Sequence, residues 1–558
     1  MPAKTQPPAS FFQTSCLTLA LFCFLLNAGC RDPFQQGVIY HPNKPLLYKE
    51  DQFGNRIPDY STAGYRAGGI PLPHIPEKVT LHPLQGSADD TERIQAAIDR
   101  ISNLAPDQRG FRGAVLLQAG RYRVDGQLSL RTSGVVLRGS GQFSGGSELW
   151  SGESDEQSLI LLSGQDVPQD QFNSDRRDGR FLYRNSSDQA WEVVDRYAPS
   201  GRDYVQVTPV GGLAVGGTVI LEQRMNREWV RLLGMDDFPA RPDKIPVPQW
   251  NPADFVFHFE RRIIRIAGGR VYFESPLVNP IFAQFGSTRL FKPILPNRIT
   301  NCGVEHLRLV ASSGTLEGEA PESLSRNGVT VMRAKDCWIK GVTSVHYANN
   351  CVELDREALR ITVEDCAFLD PVARNGYGRR HGFISAGQQL LFQRCFTRGA
   401  QYPFFVPGKT GGPNVFLDCY AEGFNSIIGP WRHWAMGTLW DNTHGWRLMV
   451  RNRGYEGMGW GWSGINHLFW NCNAVDTVSV QSPVNGWNWA IGCRGKRLGA
   501  PFAGLVAHYS HHDERAKPRS LYMRQLEDRL HPEASKAVFS ENQRQGITLF
   551  YLQDTLSR

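Results

Sequence analysis

Between residues 337 and 493 the chain repeats one short phrase, an apolar run followed by a polar residue and then Cys or Asn. The runs are Val363-Glu364-Asp365-Cys366, Leu391-Phe392-Gln393-Arg394-Cys395, Val415-Phe416-Leu417-Asp418-Cys419, Leu439-Trp440-Asp441-Asn442, Leu468-Phe469-Trp470-Asn471-Cys472 and Ala490-Ile491-Gly492-Cys493. Counted from Cys337, the intervals are 29, 29, 24, 23, 30 and 21 residues. Repeats of this size, written in β-formers and punctuated by Gly, Asn and Asp, are stacked turns of a solenoid. The phrases are too short and too rich in Val, Phe and Trp for helical repeats. The pattern predicts an all-β fold, a right-handed parallel β-helix with one phrase per coil over 299–496.

The flanking pattern differs. Residues 31–76 are rich in Pro, Tyr and Asp without periodicity and read as an arm. In 88–101, Asp89 and Glu92 suggest a capping box, and Ile94, Ala97, Ile98 and Ile101 form one apolar stripe, so a helix is expected to plug the first coil over 77–150. Residues 151–298 break the rhythm; runs such as 203–207, 218–221 and 262–266 predict a small antiparallel β-rich insert, in which Glu222, Arg224, Trp229 and His258 stand out. Beyond 497 a stripe in 519–530 predicts a helical C-terminal cap.

The segments 113–124 (Gly-x-Val-x-Leu-x-x-Gly-x-Tyr) and 133–141 (Ser-Gly-Val-x-Leu-x-Gly-x-Gly) follow the Asp-Asp-Thr-x-x-Ile-Gln-x-Ala-Ile helix. Residues 78–150 in this order resemble the N-terminal signature of the pectate-lyase-like β-helix superfamily. The resemblance implies the fold. It leaves the reaction open, because the superfamily contains polysaccharide lyases, glycoside hydrolases and non-catalytic surface proteins.

Composition then narrows the classes. The net charge of +7 is spread along the chain without a Lys/Arg run, which argues against nucleic acid as partner. Lys4 precedes an apolar run over 11–26 that ends in Asn27-Ala28-Gly29-Cys30, the layout of an export signal. Cys after Ala-Gly resembles a lipoprotein cleavage site, although Leu26 lies one place early; a lipid on Cys30 would be the protein's membrane contact. Three of the eleven cysteines lie in this leader. The rest are expected to form an inward ladder of thiols, with Cys337 and Cys351 the pair to check for a disulfide. A monomer is expected.

Candidate chemistry concentrates in the loops over 374–489. Aligning the coils by their phrases puts Arg380, His381, Tyr402, the 427–432 segment, Trp460, Trp462 and Trp487 on neighbouring levels. Rings stack on sugar faces, and arginines grip carboxylates in a fork. β-Elimination on a uronic-acid polymer needs a neutraliser for the carboxylate, a base for the C5 proton and an acid for the leaving oxygen. Arg380 and Arg432 suit the first role, His381 or His433 the second, and Tyr402 or Lys409 the third. The Arg380-His381-Gly382 triplet resembles the Arg-containing strand of β-helix lyases acting on alginate and dermatan. Arg379, Trp431, Trp434, His444, Trp460, Trp462 and Trp487 are the expected sugar-binding side chains. Hydrolysis by paired carboxylates is the alternative, with Glu353, Asp355, Glu364, Asp365, Asp370, Glu422, Asp441 and Glu456 as candidates; a binding protein without turnover is the third reading. Glu353, Asp355 and Asp365, the densest acidic group, are also the expected ligands if Ca²⁺ is bound.

Overall fold

The computed structural model describes residues 37–84, 86, 88–152, 158–164, 183–295, 297–311, 327–373 and 380–546. The leader with Cys30, and Arg379, lie outside the described residues. Each coil of the right-handed parallel β-helix contributes to three parallel sheets. The first contains Thr362–Glu364, Leu391–Gln393, Asn414–Leu417, Thr438–Asp441, Leu468–Trp470 and Trp489–Ile491. The second contains Ala367–Leu369, Phe396–Arg398 and Tyr420–Glu422. The third contains Asn350–Leu354, Phe383–Ser385, Phe404–Val406 and Ile427–Pro430. Strand His444–Val450 bends from the second sheet into the third.

The recurring phrase is the corner between the first two sheets. Its corner residue takes the left-handed conformation in all six phrases: Asp365 (φ 57), Arg394 (φ 52), Asp418 (φ 51), Asn442 (φ 53), Asn471 (φ 52) and Gly492 (φ 71). Asn, Asp and Gly tolerate this backbone, which explains their use here. Arg394 is the exception, and its guanidinium is held by Asp365 (Nε–Oδ1 2.6 Å) and Glu364 (3.2 Å). The next residue points inward and hydrogen-bonds a carbonyl one coil back. Cys419 Sγ donates to Phe392 O at 3.6 Å, Cys472 to Trp440 O at 3.1 Å and Cys493 to Phe469 O at 3.4 Å. Thr443 Oγ1 does the same to Phe416 O at 3.3 Å, so Thr443 occupies the cysteine position of its coil, and Asn442 is the corner residue. Cys337 also falls off the ladder. It precedes a first-sheet strand and stacks on Cys302, whose N–H donates to its Sγ at 3.4 Å. All eight described cysteines are buried free thiols, including Cys337 and Cys351. Beside the ladder, Phe392, Phe416, Trp440 and Phe469 stack at 4.7, 6.0 and 4.9 Å along the axis.

Helix Thr91–Ser102 covers the first coils, with Ile94, Ala97, Ile98 and Ile101 buried in the solenoid core. Its N-cap is Asp90; Asp89 instead accepts from Thr91 N at 2.9 Å, so the expected capping box does not form. The insert leaves the stack unbroken, because Val136 pairs directly with Gly303 and Ser158 with Asn327. Residues 183–295 include a six-stranded antiparallel sheet that shares a core with Trp434, Met436, Trp462 and Ile465 of the solenoid.

The outer face of the first sheet is apolar, through Leu391, Val415, Leu439, Leu468 and Trp489. Val38, Leu46, Ile57 and Tyr60 of the arm cover it together with helix Leu521–Arg529. The C-terminal helix therefore lies along the flank, where Arg519 pairs with Asp418 (2.6 Å), instead of closing the end. Beneath it, Asp441 accepts from Ser520 Oγ at 2.7 Å and Tyr522 N at 2.9 Å.

Burial, reinforced by the nearby Asp418 charge, pushes the Asp441 carboxyl up to about 7. An unfolded aspartate releases its proton near about pH 4, so between there and pH 7 the folded chain holds the extra proton, and stability falls as pH rises. Relative to Asp441→Asn, the wild type is expected to lose up to about 4 kcal/mol of unfolding free energy across that window. Urea denaturation at stepped pH measures this; parallel curves for the two proteins would contradict it.

Candidate functional site

The first sheet is covered, and of the two remaining faces the third carries the larger group of rings and cations. Its outward row runs Glu353, Ile384, Phe405 and Gly429 in register, one residue per coil. Over this row lies a continuous cluster of rings. His381 packs on Phe405 (4.3 Å) and stacks on Tyr402 (5.4 Å). Tyr402 meets Trp431 edge-on at 4.4 Å, and Trp431 lies 5.1 Å from Trp460. The Arg453 guanidinium sits 3.8 Å from the Trp431 ring and 4.4 Å from Trp460, and Nε donates to Glu456 at 2.7 Å. Phe405, Trp431 and Trp460 are half-buried, so each ring keeps part of its surface in solvent.

Hydrogen bonds set the chemistry of two of these groups. His381 Nδ1 lies 2.8 Å from Asn349 Oδ1. An amide oxygen only accepts, so Nδ1 carries a proton, and in the neutral ring Nε2 is the basic nitrogen. Burial pushes the Tyr402 phenol up to about 12, which keeps its proton in place at neutral pH.

The insert walls one side of the cluster. Its loop brings Trp250 to 5.9 Å from His433, with Nε1 donating to Gly459 O at 2.9 Å, and Arg241 donates to Gly457 O at 2.7 Å. This approach needs glycine: a Cβ on Gly459 would stand 2.6 Å from Pro248 O, and one on Gly461 2.4 Å from the Trp250 ring. His433 is pressed into this seam, where burial and then the Arg432 and Lys409 charges push its imidazole down to about 3. It is neutral and keeps part of its surface in solvent. The Lys409 ammonium lies 5.2 Å from the Phe255 ring on the same side.

Other expected residues stand elsewhere. Trp434 is fully buried under the insert, 5.0 Å from Trp229, with Nε1 donating to Asn279 Oδ1 at 3.1 Å, and Trp462 is buried in the same core. Trp487 donates to Asp51 Oδ2 of the arm at 2.8 Å. His444 belongs to the second sheet, stacked at 4.4 Å on Tyr420 and bonded to Asn473. These four do not join the ring cluster. The Arg380 Nε donates to Ala373 O.

The expected calcium ligands do not converge either. Asp365 is paired with Arg394 at the corner, and Glu353 accepts from Asn327 Nδ2 at 2.8 Å. Among the described residues no three His, Cys, Asp or Glu side chains come together as a metal site. Sequence reasoning missed Asn349, Trp250 and Phe255; the Asn349-Asn350 pair was a visible turn signal, whereas the two rings lie in an insert loop without periodicity.

No family description and no curated protein matches the chain. Among solved structures it is similar to the tailspike gp61 of Pseudomonas phage phi297, at 10% identity and a TM-score of 0.41, covering 74% of this chain and 58% of that one. It is also similar to ORF18 of Geobacillus virus E2, at 12% identity and a TM-score of 0.38, covering 78% and 60%. A third is the tailspike of E. coli bacteriophage HK620 in complex with a pentasaccharide, at 9% identity and a TM-score of 0.37, covering 76% and 56%. The chain thus spans between 56% and 60% of the length of these three structures. Identities of this size leave the reaction to be argued from this chain's own side chains.

Trp434→Ala and Trp462→Ala are expected to behave as core truncations and cost about 3–5 kcal/mol each in chemical denaturation. Trp431→Ala and Trp460→Ala should cost about 2 kcal/mol or less, because each ring is only partly buried.

Proposed function

We propose that this protein binds an acidic polysaccharide along the outer face of the third sheet and cleaves it by β-elimination. The observation that carries this reading is the unbroken row of His381, Tyr402, Phe405, Trp431, Arg453 and Trp460 over successive coils. Coils rise about 4.8 Å apart, so the row extends roughly 14 Å along the axis, suited to an extended polymer. Half-exposed rings offer apolar faces to sugars. Arg380, Arg432 and Lys409 supply positive charge beside them to neutralise a uronate carboxylate.

His381 is the favoured base, because its proton lies on Nδ1 and its Nε2 lone pair can take the C5 proton. Tyr402, still protonated at neutral pH and stacked beside it, is the favoured acid for the leaving oxygen. His433 is the alternative base: it is more exposed than the buried His381, but partial burial and the Arg432 and Lys409 charges beside it hold its imidazole at low basicity. Loss of the C5 proton and of the C4 oxygen leaves a C4–C5 double bond conjugated to the carboxylate. Export, with a lipid on Cys30, belongs to the same proposal, because such polymers lie outside the cell.

A second reading, hydrolysis, is favoured by one observation. Glu353 lies in the outward row on strand Asn350–Leu354, and Asp355 follows directly after that strand. Glu353 and Asp355 are two residues apart, about 7 Å, within the roughly 5–9.5 Å that paired-carboxylate hydrolysis uses. Glu456 is a worse partner for Glu353: four coils, about 19 Å, separate them.

Incubation with uronate polymers is expected to give new ultraviolet absorbance from the unsaturated product. His381→Ala and Tyr402→Phe should each lower that rate at least about 100-fold with an unchanged melting curve. Reducing ends without the chromophore, abolished by Glu353→Gln, would establish hydrolysis instead. Retention on the polymer without either product would reduce the site to binding.

A further inference from the structure

The insert carries a second polar constellation, built from residues other than those of the ring row. Strands Thr218–Met225, Val256–Ala267 and Gly286–Ile294 are neighbours in its sheet, and their register places Glu222 opposite both His258 and Arg289. Arg224, two residues on from Glu222, shares that face. The opposite face, through Leu221, Phe257, Phe259 and Leu290, forms the insert's core. Glu222 accepts from Arg224 Nε at 2.6 Å, from Arg289 Nε at 2.7 Å and lies 2.9 Å from His258 Nε2. These groups line a cavity of about 360 Å³, together with Tyr183, Asn251 and Phe291 among others.

Stability alone does not account for this arrangement. Glu222 is 2% exposed and His258 8% exposed, and a buried ionic cluster is commonly no more stable than an apolar replacement. Two guanidinium groups face the Glu222 carboxylate, and Asp254 also lines the cavity, so its two arginines and two carboxylates balance in formal charge. His258 Nδ1 is buried without a hydrogen-bond partner. In the neutral ring with Nε2–H directed at the Glu222 carboxylate, Nδ1 is an acceptor that lacks a donor. Burying an unsatisfied acceptor costs about 1–3 kcal/mol, a cost that a bound hydroxyl would remove.

We propose that this cavity is a second sugar site that holds one uronate residue, its carboxylate on Arg224 and Arg289 and a hydroxyl donated to His258 Nδ1. Arg224 spends its Nε–Nη2 edge on Glu222 (2.6 and 3.1 Å), so the Nη1–Nη2 edge of Arg224 and the Nη groups of Arg289 are the donors left for a planar carboxylate. The Phe291 and Tyr183 rings flank His258 edge-on, each 5.9 Å away, and give the ring of a sugar an apolar wall. The class of sugar rests on the acidic polymer proposed above, whereas the site itself is distinct from the third-sheet face.

Calorimetric titration of the full chain with sodium galacturonate and sodium glucuronate tests the proposal, with galactose and inorganic phosphate as controls. One uronate should bind saturably, with galactose and phosphate at least about ten-fold weaker. Arg224→Gln and Arg289→Gln should each weaken the uronate at least about ten-fold. Arg224 is about half exposed, so its variant folds even if Arg289→Gln does not. Trp431→Ala should leave the monomer's affinity unchanged while polymer retention is lost. Absence of saturable uronate binding, equal affinity for galactose or phosphate, or an unchanged Arg224→Gln would overturn the second site, as would loss of monomer binding in Trp431→Ala. Monomer binding by a protein that never retains polymer would instead overturn only the third-sheet reading.

Discussion

The structure depends on one constraint: each coil must hydrogen-bond to the next in fixed register, and one left-handed residue per coil keeps that register at the first corner. The residue after it closes the step by donating a thiol or hydroxyl to a carbonyl one coil back. A slip at any corner would rotate every outward side chain beyond it to the other face. Because the register holds, residues 20 to 30 positions apart in sequence fall into straight rows. The inward rows are the thiol ladder and the Phe–Trp stack; the outward rows decide what each face of the solenoid can do.

The three outer faces have different fates because their side chains differ. The first sheet presents aliphatic residues, and the arm and C-terminal helix bury them. The second sheet presents Phe396, Tyr420 and His444 in a parallel stack spaced at 6.0 and 4.4 Å. The third sheet presents half-buried rings beside cations, and the insert walls its edge without covering it. The insert thus serves the solenoid twice, by closing a core over Trp434 and Trp462 and by bounding the open face with Trp250 and Phe255.

The fold was legible because strand, corner residue and cysteine recur together, and each has a separate physical cause. The reading slipped by one residue at Asn442, where Thr443 takes over the cysteine's hydrogen bond, and began one strand early at Cys337. The site was legible in part. Arg380, His381, Tyr402, Trp431 and Trp460 were placed together because they flank third-sheet strands of successive coils. Trp434 was not distinguishable from Trp431 in sequence: consecutive left-handed residues His433 (φ 50) and Trp434 (φ 60) turn the chain under the insert. Trp460 and Trp462 are separated only by Gly461 (φ 57), whose backbone sends the second ring into the core. Trp487 is claimed by an arm more than 400 residues away in sequence, a pairing no local pattern announces. Of the Glu222 constellation, Glu222, Arg224 and His258 stood out in the sequence and Arg289 did not; the antiparallel register brings the four together, whereas Trp229, singled out with them, lies in the insert's core.

Hydrogen–deuterium exchange with and without saturating acidic oligosaccharide tests the central claim most directly. Protection is expected at 380–384, 402–409, 427–434 and 451–462, the segments that build the third-sheet face, with the first and second sheets unchanged. Protection centred on the second-sheet row at 396–398, 420–422 and 444–446, or none in the four segments, would contradict the account.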